Sequence, residues 1–116
     1  MMKSMIFSLA VLALTGCAAV PLPADGLERT QSSIRGAEEL GAAGVPDAKL
    51  HLKLAQDQTA IATKMAKNGD ARAELVLSRA ESDAVLALEL AREASVHVDA
   101  LQAAEDLQAV RTRGNP

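Results

Sequence analysis

A chain of 116 residues, of which 49% are hydrophobic and 23% charged, has room for one domain. Its one aromatic residue is Phe7 and its one cysteine is Cys17, so neither stacked rings nor an internal disulfide can hold the mature fold. Fifteen Asp and Glu against twelve Lys and Arg are interspersed along the chain, which leaves no basic stripe for nucleic acid.

Lys3 supplies a positive start, and Met5 to Leu14 form an apolar run. A membrane-spanning helix needs about 20 apolar residues, so the run reads as a leader peptide. It ends in Leu14-Thr15-Gly16-Cys17, which resembles a bacterial lipobox. That resemblance implies a signal peptide over 1–16, with Leu14, Thr15 and Gly16 recognised by the signal peptidase. Cys17 would then take a diacylglyceryl group on its thiol and become the acylated N-terminus, so the membrane is the expected partner. One acyl chain binds a bilayer reversibly, with a partition constant of about 10⁴ M⁻¹, whereas two or three hold stably. In lipoproteins of this kind from two-membrane bacteria an aspartate after the cysteine signals inner-membrane retention. Ala18 in that place implies the periplasmic face of the outer membrane. Residues 17–24 are expected to hold the lipidated cysteine and a short tether, in which 18–24, with Pro21 and Pro23, is extended and reaches only about 20 Å.

The remainder, 25–113, reads as an all-α domain. Asp25 with Glu28 has capping-box spacing, and Leu27, Thr30, Ile34 and Ala37 follow at helical intervals until Gly41, Gly44 and Pro46. A second helix over 46–67 carries a stripe of Ala48, Leu52, Ala55, Thr59, Ala62 and Ala66, with Lys64 and Lys67 in its last turn. Asn68-Gly69 breaks it, and Asp70 suits the N-cap of a third helix. That helix is the longest. Ala73, Leu77, Ala80, Ala84, Ala87, Ala91, Ala94, Val98 and Leu101 alternate steps of four and three in an alanine-rich heptad seam. Ala104, Leu107 and Val110 are expected to carry the seam onward on a slightly rotated face.

So short a connection makes helices two and three an antiparallel hairpin. Centring it between Asn68 and Gly69 brings Asp57 towards Arg79, Lys53 towards Asp83 and Lys49 towards Glu89. Helix two then covers only half of helix three, and two arrangements follow. Residues 41–45 either reverse the chain, giving a three-helix bundle with a bare overhang, or only kink it, laying the shorter first helix along the overhang. The matched lengths of 26–67 and 70–113 favour the kink, and the two glycines with Pro46 favour the reversal.

From Gly41 to Ala94 the chain resembles a family of small bacterial lipoproteins carrying a helical domain of unknown function (the domain-of-unknown-function family 4398 type). The stretches concerned are Pro46-x-Ala48-x-Leu50-His51-Leu52-Lys53-Leu54-Ala55-Gln56, Gly69-Asp70-x-Arg72-Ala73-Glu74, Ala80-x-x-Asp83-Ala84 and Leu88-x-Leu90-Ala91-Arg92-Glu93. Ser82 and Val85 depart from the pattern. The resemblance implies an exported, lipid-anchored helical protein and brings no catalytic residue with it.

No catalytic constellation emerges from the residues either. His51 and His97 fall far apart in the hairpin register, and Asp47, one turn before His51, gives no third ligand, so neither metal nor cofactor is expected. Glu38, Glu39 and Asp99 would meet only if helix one lay along the overhang, and then on a solvated face. The expectation is a non-enzymatic lipoprotein presenting an elongated structural or interaction module to the periplasm, with 94–110 open to a second copy or a protein partner. A peptide-binding or chaperone-like periplasmic adaptor is the alternative. No small-molecule substrate is indicated.

Overall fold

The computed structural model describes residues 18–114, so the signals at Leu14, Thr15, Gly16 and Cys17 lie outside the described residues. Three α-helices and one 3₁₀ turn make up the domain, and no strand occurs among the described residues. They are α1 (Ala24–Glu39), the 3₁₀ turn Ala42–Gly44, α2 (Pro46–Lys67) and α3 (Ala73–Arg113).

Helix α1 starts two residues before the capping box requires. Pro23 occupies the N-cap with no side-chain cap, and Asp25 sits inside the first turn, where its charge faces the positive end of the helix dipole. The helix stops because Gly41 takes a left-handed φ of 76°. The 3₁₀ turn follows, and Val45 is extended (φ −109°, ψ 112°), as the residue before a proline is obliged to be. A left-handed residue, a tight turn and an extended residue together reverse the chain.

Helix α1 therefore folds back antiparallel to α2 and runs parallel to α3. Arg29 Nε reaches Glu81 Oε1 at 2.7 Å, and the contacts of Gly26 with Leu77 and of Gly36 with Leu88 advance in the same direction along both helices. This settles the choice between the two arrangements for the compact bundle. The near-equal lengths of 26–67 and 70–113 reflect no pairing along the overhang.

Alanine builds the interior. Ala48, Ala55, Ala62, Ala66, Ala73, Ala80, Ala84, Ala87 and Ala91 are buried, and Leu52 and Leu77 are the only large apolar side chains buried with them among the described residues. Small side chains let the axes approach to the close end of the usual 8–10 Å range. The price is a thin core, with Leu50, Ile61 and Leu75 half exposed on the flanks. One buried cluster gathers Ala37, Ala42, Ala48, Leu52, Ala87 and Ala91, flanked by Ile34, Val45, Leu88 and Leu90. Here all three helices and the 3₁₀ turn meet.

Burial along α3 ends at Ala91; Ala94 is half covered, and Val96, Val98 and Leu101 are more than half exposed. The seam does not continue on a slightly rotated face. Each step of three residues turns back about 60° on an α-helix, so three such steps from Leu101 put Val110 on the opposite side. The overhang thus carries Val98 and Leu101 on one side and Val96, Leu107 and Val110 on the other, all exposed.

Candidate functional site

The hairpin turn is closed by a network of backbone and side-chain hydrogen bonds. Asp70 N–H donates to Met65 O at 3.0 Å and Gly69 N–H to Ala66 O at 3.1 Å, a Schellman closure with Gly69 left-handed at φ 76°. Asp70 is not the N-cap expected of it: α3 begins at Ala73 with Arg72 in that place and no side-chain cap, and the Asp70 carboxylate instead closes the turn ahead of the helix, accepting the backbone N–H of Arg72 at 3.0 Å and the Arg72 guanidinium at 2.8 Å. Those two bonds, the side-chain one foremost, hold the Asp70 carboxyl down at about 2. The side-chain bond to Asp70, with that carboxylate's charge, likewise pushes the Arg72 guanidinium above its ordinary value.

The segment expected to be a free tether is seated on this turn. Val20 N–H donates to Ala66 O at 2.9 Å, the same carbonyl that accepts Gly69. Ala18 O lies so close to Gly69 that a Cβ there would stand 2.7 Å from it. Gly69 is thus required twice, by its positive φ and by the chain that crosses it. Composition gave no sign of this contact, because prolines at 21 and 23 read equally well as linker.

Between α2 and α3, Asp83 joins two residues of α2. His51 Nδ1 donates to Asp83 Oδ1 and Gln58 Nε2 to Asp83 Oδ2, both at 2.8 Å. Residues 51 and 58 straddle position 54, which the hairpin register sets opposite 83, so the register holds. The charge pairs read from it do not: Lys53 bonds Asp57 within α2 at 3.0 Å, and neither Arg79 nor Lys49 makes an ion pair among the described residues. Long lysines on an exposed flank gain little by reaching across a helix pair. Gln58 Oε1 is buried without a partner.

His97 stands exposed on the overhang, away from His51, and no group of three potential metal ligands occurs among the described residues. Glu38 accepts from Gln56 Nε2 at 2.7 Å instead of joining Asp99, because α1 lies beside α2 and not along the overhang. A shallow groove of about 550 Å³ runs between α1 and α2, floored by Ile34, Thr59, Ala60 and Thr63, with Lys64 and Lys67 at its end. No described helix is long and apolar enough to cross a membrane. No family model, no curated protein and no solved structure matches the chain.

Proposed function

We propose that the chain is an outer-membrane lipoprotein, anchored through a diacylglyceryl thioether at Cys17, whose helical domain serves the periplasm as a structural or interaction module. The observation that carries this is the ten-residue apolar run from Met5 that follows Lys3 and ends in Leu14-Thr15-Gly16-Cys17. The bundle supports the second half of the reading. It secures α3 as far as Ala91, half covers Ala94 and Ser95, and leaves 96–113 as an uncovered lever about 27 Å long. Tethering is the mechanism: the lipid fixes place, and the exposed residues of 94–110 meet a protein partner or a second copy. Because the apolar positions wind around the helix, the partner contact is short on each side, which suits a clasp better than a long paired coil.

Replacing Cys17 with serine tests the anchor. Fractionation should find the Cys17→Ser protein released from membranes yet folded by circular dichroism, and labelling with radioactive palmitate should be lost. Retention of Cys17→Ser in the membrane fraction would defeat the reading. The adaptor alternative is favoured by the groove beside Ile34 and Thr63. Saturable binding of unstructured peptides, abolished by Thr63→Trp, would establish it over tethering.

A further inference from the structure

We infer that the hairpin turn, 67–72, is the membrane-contacting end of the domain and that α3 stands away from the bilayer, its free end pointing into the periplasm; this rests on lipid attachment at Cys17. Cys17 is one residue, about 3.8 Å between α-carbons, from Ala18. Ala18 and Val20 are not swinging on a linker. The Val20 N–H is held by Ala66 O at 2.9 Å, and the Ala18 carbonyl occupies the space that any side chain at Gly69 would need. An acyl group on the preceding residue has no more than one residue of chain between it and the seated Ala18. At that same end α2 finishes and α1 and α3 begin, so all three helices leave the lipid surface together.

From Ala73 the axis of α3 rises about 1.5 Å per residue, which puts Ala94 about 30 Å and Arg113 about 60 Å from the turn. The uncovered overhang is thus presented at a defined height above the lipid. Charge does not set this orientation. Lys64, Lys67 and Arg72 at this end are matched by Asp25, Asp70 and Glu74, so the end is electrically balanced towards anionic headgroups. The covalent anchor and the seating of residues 18–20 set it.

The test uses the full lipidated protein in phosphatidylethanolamine vesicles containing phosphatidylglycerol, with one introduced cysteine carrying a fluorophore. The Cys17 thiol is blocked by its thioether and takes no label. Energy transfer to a headgroup-labelled lipid is measured for Asn68→Cys and for Thr112→Cys. Transfer at 68 should exceed that at 112 several-fold and stay unchanged from low to high salt. Val20→Pro, which removes the N–H donor outside every helix, should narrow the contrast as the domain tilts. Equal transfer at the two positions would mean that α3 lies along the surface, and an unchanged contrast in Val20→Pro would mean that the seating does not orient the domain; either overturns the inference. Failure of the anchor itself is seen first and separately, as wild-type protein that carries no lipid and does not sediment with vesicles.

Discussion

Gly69→Ala strikes the seating of the N-terminal segment directly, and Gly41→Ala provides its control. Both glycines have φ of 76°, so alanine at either position meets the left-handed penalty of about 1–2 kcal/mol. They differ in surroundings. A Cβ at Gly41 meets nothing within 4 Å, whereas one at Gly69 stands 2.7 Å from the backbone oxygen of Ala18. Backbone cannot rotate away as a side-chain tip can, so Ala18 must move and the Val20–Ala66 bond is lost, worth about 1 kcal/mol net. Gly69→Ala should therefore cost about 2–3 kcal/mol and Gly41→Ala about 1–2. Urea denaturation of each variant in a Cys17→Ser background, followed by far-ultraviolet circular dichroism, gives the difference. Hydrogen exchange at the Val20 amide should quicken in Gly69→Ala and not in Gly41→Ala. Equal losses of stability with unchanged exchange at Val20 would refute the argument that residues 18–20 are seated on the turn.

Leu77, 2% exposed, is one of two large apolar side chains in the alanine interior, and Leu77→Ala should cost about 3 kcal/mol in the same denaturation assay. Leu101, 54% exposed, should change folding stability by less than about 0.5 kcal/mol when replaced by alanine, and any larger loss would reveal a contact made by the overhang in solution. Asp83→Ala leaves Gln58, whose Oε1 already lacks a partner, and His51 without their shared acceptor, so it should cost about 2 kcal/mol and loosen α2 against α3. Because the folded-state value of Asp70 is depressed to about 2, its contribution is present above the ordinary carboxylate value and is lost as pH falls towards 2. A carboxyl-carbon titration by nuclear magnetic resonance should find the Asp70 midpoint well below the ordinary aspartate value, and Arg72→Gln should return it upward.

Helix boundaries and the buried seam were legible because they rest on local chemistry. Pro46 opens α2, Asn68-Gly69 closes it, and the residues from Ala48 to Ala66 and from Ala73 to Ala91 recur at the spacing that puts them on one face. The direction of α1 was not legible, since the matched lengths of 26–67 and 70–113 fitted a kink while two glycines and Pro46 fitted a reversal. The left-handed Gly41 with the extended Val45 decides it, and backbone angles are not written in composition. Ion pairs were read wrongly for a related reason. Register brings charges near one another, but Asp83 prefers His51 and Gln58, which are half buried beside it, to a lysine on the solvated flank. The seating of Val20 on Ala66 joins residues 46 positions apart through backbone atoms alone, and no side-chain pattern signals such a bond.

The account depends most on α1 lying beside the first half of α3, because that placement leaves α3 bare from Val96 onward. Spin labels at Glu28→Cys and Ser78→Cys in the Cys17→Ser protein measure it by electron–electron resonance. Arg29 and Glu81 fix the level of the two helices, so the labels should lie within about 20 Å of one another. A distance of about 45 Å would place α1 along the overhang and contradict the account.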